Sequence, residues 1–349
     1  MKILFNTSRG SFGKMGGGEI QMLETRKELE KKGHKVDILE MKGYDTKLSD
    51  FDLFHNFNIH RDNFALIQKA KAAGLPVAVS TIYWPSLENA FLWNQGIGKV
   101  KAVAAELSKR LDFFGLTKVK RMIRMADVLL PNSLAEASAL ERVFGASPKK
   151  IFVVPNGVDK RFANAKPDAF EKKFGAKDFV LYVGRIEPRK NVLSLIRAVK
   201  GVDCRLVVVG KATPESEDYG RKCKAEAGGN VLFVDPLPHE SGLLESAYAA
   251  CSVFCLPSWY ETPGLAALEA GLAGAKVVVT EKGCTREYFG DRASYVNPAS
   301  VSDIREKVSK ALGRERDDSL KGHILQNFLW ENAAIATEKA YKSLKGGLA

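Results

Sequence analysis

Apolar residues along the chain fall into two alternating rhythms. Short β-branched runs, Val36-Asp37-Ile38-Leu39, Val77-Ala78-Val79-Ser80, Val128-Leu129-Leu130 and Ile151-Phe152-Val153-Val154, are separated by longer stretches with helical spacing. This is the sequence form of βαβ units with parallel strands. The rhythm restarts at Phe179-Val180-Leu181-Tyr182-Val183. It continues through Arg205–Val209, Val231–Val234, Ser252–Leu256 and Lys276–Val279, predicting a second parallel α/β layer structure. Between the halves, the turn-forming Asn156-Gly157 and the loss of apolar periodicity through Pro167 mark a linker, with the boundary near Ala165. Near-helical spacing of Phe328, Leu329, Trp330, Ile335, Ala336 and Tyr341 predicts one long helix from about Ile324 to Leu344, placed to pack across both halves. The expected organisation is a first domain over 1–165, joined by a terminal helix within 325–349, and a second over 166–324.

Composition narrows this picture. At 349 residues the chain exceeds what one core usually organises. Charges or Pro interrupt every apolar stretch before it reaches the length of a membrane span, and the amino-terminal Met1–Asn6 is too short for a signal peptide. The five cysteines are odd in number, all lie in the second half, and lack paired metal-ligand spacing, which fits a reducing cytoplasm. Cys251-x3-Cys255 falls in an apolar run and reads as core. The net charge of +12 calls for an anionic partner. Half of that excess sits between Lys99 and Arg124, where cations alternate with apolar residues. Two readings stay open there: peripheral contact with an anionic bilayer at the inner membrane face, or an ordinary amphipathic helix pair with a solvated basic face. No nucleic-acid recognition motif is present.

Chemistry concentrates where strands give way to helices. Pro257-Ser258-Trp259-Tyr260-Glu261-Thr262-Pro263-Gly264-Leu265-Ala266-Ala267-Leu268-Glu269-Ala270 follows a predicted buried strand and opens a helix at Pro263. The free N–H groups of Gly264 and Leu265 at that start suit a phosphate at the carboxyl end of the sheet. Glu261 and Glu269 bracket the phosphate position, and carboxylates so placed suit hydroxyl groups. Tyr182-Val183-Gly184-Arg185-Ile186-Glu187-Pro188-Arg189-Lys190-Asn191 repeats the strand-to-helix setting. Its Arg185 and Lys190 are the fixed cations that stabilise negative charge developing on a leaving diphosphate. Gly10–Glu19 joins the first strand to the first helix, and Gly17 and Gly18 allow backbone to approach phosphate closely. G-x-G-x-x-G is not satisfied, because Gln21 stands at the third glycine position.

These residues resemble the retaining glycosyltransferases of the GT-B fold, specifically the large family 4, with its E-x7-E motif inside Pro-Ser-x-x-Glu-x-x-Gly-Leu-x-x-Leu-Glu-Ala. Further matches are Val154–Asp159, Gly283-Cys284-Thr285-Arg286-Glu287 and Trp330. The resemblance implies two Rossmann-like domains with parallel sheets facing a central cleft. It implies transfer of a hexose from a UDP- or GDP-linked sugar to a glycan or lipid-linked acceptor, with retained configuration. It assigns Glu261 to the donor sugar, Glu269 to the ribose, Arg185 and Lys190 to the donor diphosphate, and Gly17 and Gly18 to the loop that faces the donor phosphates; Thr262, Gly264 and Leu265 complete the expected donor-binding set. No metal or other cofactor is required. Glu287 reads equally as a donor residue or as a cap or surface charge.

Two features depart from the pattern. Family members often carry His near the sugar after the fourth strand, where this chain reads Ser80-Thr81-Ile82-Tyr83-Trp84-Pro85. Tyr83 is then an acceptor- or sugar-side candidate that donates a hydrogen bond but cannot act as a base at neutral pH. His55 is a second such candidate, although a lone histidine beside a strand more often serves structure; the same holds for His60. Asp50-Phe51-Asp52 is a literal D-x-D, but its setting before an apolar strand argues against metal binding. Alternatives from other classes are an epimerase or phosphorylase of the same fold, a non-catalytic nucleotide-sugar binding protein, and a nicotinamide-dependent oxidoreductase.

Overall fold

A computed structural model describes residues 1–14, 16–83, 117–238 and 241–345. Contacts divide the chain into two units, Met1–Gly157 with Trp330–Ala349, and Val158–Leu329.

In the first unit, strands β1 (Lys2–Asn6), β2 (Lys35–Ile38), β3 (Leu53–Phe57), β4 (Val77–Ser80) and β5 (Val128–Leu129) form a parallel sheet in the order β2-β1-β3-β4-β5. Helices α1 (Gly17–Lys31), α2 (Leu39–Lys42), α3 (Phe64–Ala72) and α4 (Lys118–Met125) lie between them in the chain, and α5 (Leu134–Phe144) follows β5. Burial of every residue of β3 and β4 explains their continuous rather than alternating apolar runs. The expected strand at Ile151–Val154 shrinks to a single bridge from Ile151 to Leu129, followed by two further backbone bonds beside β5.

In the second unit, α6 (Asp168–Phe174) precedes β6 (Phe179–Val183), followed by α7 (Val192–Ala198), β7 (Leu206–Val209), α8 (Glu217–Glu226), β8 (Val231–Val234), α9 (Leu243–Ala250), β9 (Cys251–Leu256), α10 (Leu265–Leu272), β10 (Lys276–Thr280), α11 (Thr285–Phe289), β11 (Ser294–Val296), α12 (Val301–Leu312) and α13 (Ser319–Asn327). All six strands are parallel, in the order β11-β10-β9-β6-β7-β8. β6 and β9 are therefore central neighbours, and their carboxyl-end loops emerge side by side.

Two features differ from the sequence reading. Residues 158–165, expected in the first domain, belong to the second unit. Phe162 on the 3-10 turn Lys160–Asn164 is fully buried in that unit's core, which outweighs the polar character of the surrounding chain. The expected single terminal helix is two, α13 and α14 (Trp330–Lys345). The break falls at Phe328-Leu329, where Phe328 O accepts from Val158 N–H at 2.8 Å and Leu329 bridges Val158. That pairing with a distant segment competes with helix continuation. Among the described residues no helix is long and apolar enough to cross a membrane.

His55, on β3, is fully buried. Its Nδ1 lies 2.6 Å from Tyr341 Oη on α14 and its Nε2 lies 2.9 Å from Ser80 Oγ. Burial pushes its imidazole down to about 3. A folded-state value below the unfolded one gives stability that is complete above about pH 6.5 and lost as pH falls toward 3. Urea titrations are expected to show this site costing the first unit about 2 kcal/mol between pH 7.5 and pH 5. His55→Gln should remove that part of the pH dependence, and identical pH slopes in variant and wild type would contradict the assignment.

Candidate functional site

The site grows from the two loops that leave β6 and β9. Trp259 N–H donates to Arg189 O at 3.0 Å, and the Asn191 side-chain Nδ2 donates to Pro257 O at 3.1 Å, so one backbone and one side-chain bond tie the loops. Asn191 starts α7 in the left-handed region (φ 58°), a conformation asparagine tolerates.

Side chains complete the junction. Lys190 Nζ donates to Glu261 Oε1 at 2.5 Å, with Arg189 Nη1 3.9 Å from the same oxygen. Glu187 accepts from Arg189 Nε at 3.0 Å and pairs with Arg185 Nε at 3.5 Å. Burial alone would raise the Glu261 carboxyl, but the Lys190 and Arg189 charges overcome it and hold it below the ordinary value. Burial draws the Lys190 ammonium down against the opposing pull of Glu261. Lys190 is enclosed, whereas the Arg185 side chain is 51% exposed. The result is a row of three cations and two carboxylates at the end of the sheet. An arriving anion would find Arg185 on the open side and Lys190 beneath.

The β9 loop ends in an element start different from the one expected. The Thr262–Pro263 peptide is cis, and helix α10 begins at Leu265 rather than at Pro263. Gly264 sets that start with φ 88°, and a Cβ on it would lie 2.9 Å from Leu256 Cδ2 and 3.5 Å from Glu261 Oε2. Only glycine combines that backbone with that closeness to the carboxylate. Among the described residues no acceptor takes the N–H groups of Gly264, Leu265 or Ala266, and the Thr262 hydroxyl is buried without a partner. Unpaired donors at a helix start are an anion-binding arrangement. Glu269, 7% exposed on the second turn of α10, accepts from Tyr248 Oη at 2.7 Å.

Other sequence candidates fall elsewhere. Gly17 and Gly18 open α1 in the first unit, where a methyl on Gly18 would meet Ile82 Cδ1 at 3.4 Å. Tyr83 is 5% exposed, its ring edge-on to Phe144 at 4.9 Å in that unit's core, because its N–H is held by Glu136 Oε1 at 2.6 Å. His55 is enclosed as described. Both rings are buried in the first unit. Asp52 Oδ2 accepts from Lys2 N–H at 2.7 Å, a strand-edge contact. Among the described residues no three His, Cys, Asp or Glu side chains gather as a metal site. Cys251 and Cys255 are fully buried, and burial pushes the Cys251 thiol up to about 12. Glu287 is exposed on the first turn of α11. Most of the basic segment 99–124 lies outside the described residues. Its remainder, α4, buries Val119, Met122 and Ile123 and leaves Lys118, Arg121 and Arg124 exposed, as an ordinary amphipathic helix does.

Sequence reasoning missed several parts. A cavity of about 400 Å³ lies at the carboxyl ends of β7 and β8, lined among others by Ile186, Lys211, Arg221, Phe233 and Asp235. Arg189 and Glu187 were legible only as motif neighbours. Glu136, 2% exposed, accepts from Thr81 Oγ1, Tyr83 N–H and Asn132 N–H and so ties the ends of β4 and β5. In sequence it is indistinguishable from a first-turn acid.

Two family profiles match in tandem: Glycosyltransferase Family 4 over residues 15–162 and Glycosyl transferases group 1 over residues 165–322. The chain is 31% identical over 248 residues to a D-inositol 3-phosphate glycosyltransferase of Kribbella flavida, covering 64% of this chain and 58% of that one. It is 27% identical to an MMP alpha-(1->4)-mannosyltransferase of Mycolicibacterium hassiacum, covering 84% and 71%. The chain thus spans little more than half the length of the first of these relatives. Among solved structures, sucrose-phosphate synthase from Thermosynechococcus elongatus aligns with TM-score 0.77 at 17% identity, over 99% of this chain and 100% of that one. Anabaena HepE in complex with UDP and glucose aligns with TM-score 0.69 at 18% identity, over 100% and 99%. These likenesses show the GT-B fold.

Proposed function

The chain belongs to the GT-B glycosyltransferases of the family 4 and group 1 type, and from that premise we propose that it transfers a hexose from a UDP- or GDP-linked sugar to a glycan or lipid-linked acceptor, with retention and without a metal. The observation that carries the proposal is the junction of the β6 and β9 loops. Lys190 is fixed on Glu261 beside a helix start whose amides find no acceptor among the described residues.

In this reading the donor diphosphate lies against the Gly264 and Leu265 amides, with the Thr262 hydroxyl, Arg185 and Lys190 around it. Negative charge grows on the diphosphate as the anomeric C–O bond breaks, and cations fixed beforehand stabilise it without reorganising. Lys190 exchanges part of its contact with Glu261 for the phosphate, which frees Glu261 to accept from a hydroxyl of the sugar. Glu269 accepts from the ribose hydroxyls. The acceptor oxygen bonds to the anomeric carbon on the face the diphosphate leaves, and its proton passes to a diphosphate oxygen, so no side chain acts as nucleophile. The cavity beside Phe233 and Asp235 supports placing the base there. The ribose and sugar carboxylates, the unpaired amides and the UDP seen in HepE all favour a nucleotide sugar over a dinucleotide.

Thermal melting with a panel of UDP-, GDP-, ADP- and CDP-sugars tests the reading. A matching donor at 100 times its Kd should add about 2.7 kcal/mol of apparent stability, seen as a rise in Tm without added metal. No shift with any member would count against it.

A further inference from the structure

We propose that Tyr248 is a positioning residue for the donor: its hydroxyl holds the Glu269 carboxylate in the orientation that receives the ribose hydroxyls. This rests on the reading of Glu269 given above.

Tyr248 lies on α9, fully buried, and Glu269 lies on α10, so the contact joins two helices rather than neighbours in sequence. Tyr248 Oη donates to Glu269 Oε2 at 2.7 Å. The tyrosine ring is fixed from two sides. Phe162, on the 3-10 turn, meets it edge-on at 5.7 Å and 70°, and Phe254, on β9, at 5.9 Å and 62°. With two χ angles locked by packing, the phenol presents its single proton in one direction. A glutamate has three χ angles and would otherwise choose among several carboxylate orientations. A carboxylate offers about four acceptor positions, more than the single tyrosine proton takes up. Burial and the nearby Glu269 charge hold the phenol far above its ordinary ionisation range, so the donor proton persists at every working pH. A tyrosine serving only the core would need any acceptor. This one meets the carboxylate assigned to the ribose.

Tyr248→Phe deletes one oxygen and keeps the ring. Titration calorimetry compares UDP and GDP with their 2′-deoxy forms, and with pyrophosphate, on wild type and variant. Wild type should prefer the ribonucleotide it binds by about 10-fold, the worth of one good hydrogen bond. In Tyr248→Phe that preference should fall to within about 2-fold while pyrophosphate affinity stays unchanged, and the donor KM should rise about 10-fold with kcat changed less than about 3-fold. Glu269→Gln should lose the same preference, and the double variant should lose no more than either single change. A full ribose preference in folded Tyr248→Phe, or additive losses in the double variant, would overturn the proposal. If Tyr248→Phe does not fold, retention of the preference by Glu269→Gln overturns it alone. Wild type that binds nucleoside diphosphates without ribose preference refutes the Glu269 reading itself, and wild type that binds none refutes the proposed function.

Discussion

Glu261→Gln is expected to lower kcat/KM for sugar transfer by about 10³-fold while the chain stays folded. The size follows from two losses at one atom. Electrostatic contacts made in a preorganised, partly dry site are worth about 10²–10³ in rate each, and Glu261 is the carboxylate read as holding the sugar. Its charge also fixes Lys190, whose ammonium sits 2.5 Å away. A neutral amide leaves that buried cation without its partner, which costs about 2–4 kcal/mol of stability in the second unit. Steady-state kinetics with saturating acceptor, alongside urea titration, measures both. The two effects should appear together and only in this unit. A variant with wild-type kcat/KM would remove Glu261 from the chemistry, and one with wild-type stability would mean the Lys190 pairing contributes little.

Gly283→Ala should destabilise the second unit as much although it removes no functional group. Gly283 adopts φ +105°, and a Cβ there would stand 2.1 Å from Glu261 O and 3.1 Å from Glu261 N. Glu261 is pinned by that segment: its N–H donates to Lys282 O at 3.2 Å and its O accepts from Cys284 N–H at 3.1 Å, a parallel bridge to Gly283. A methyl cannot enter without pushing the Glu261 backbone away. Left-handed strain together with overpacking costs about 3 kcal/mol or more, or a fall in Tm of about 6–12 °C for a unit of this size. A displacement of about 1 Å at Glu261 lowers activity about 10²-fold. Calorimetric melting and turnover are the measurements. An active, equally stable Gly283→Ala would show that the β9 loop does not depend on this bridge.

Much of this architecture is legible in the chain because the strands are short β-branched runs buried on both faces. Val77–Ser80 and Phe179–Val183 read directly as β4 and β6. Reading is weaker where a distant partner decides. Ser294–Val296 is too short to show as a strand and forms only by pairing with β10. Helix periodicity runs straight through Phe328-Leu329, and the break comes from Val158, 170 residues away in sequence. The site behaves likewise. Arg185, Lys190, Glu261 and Gly264 stand out because strand-to-helix transitions favour anions. That Lys190 and Glu261 touch depends on β6 and β9 being neighbours, which spacing along the chain does not reveal. Burial on both faces also erases the alternation that would separate an inward His55 from an exposed one. Tyr83 was equally ambiguous, since its enclosure depends on Glu136, a residue with no motif of its own.

On the reading proposed above, the β6 and β9 loops bind a nucleotide sugar for transfer. The most direct measurement is mass-spectrometric product analysis of the metal-free chain incubated with the donor that stabilises it and a panel of glycan acceptors. Nucleoside diphosphate should appear together with an acceptor heavier by one hexose residue, in equal amounts. An unchanged acceptor, with donor recovered intact, epimerised or consumed only when inorganic phosphate is added, would contradict that reading.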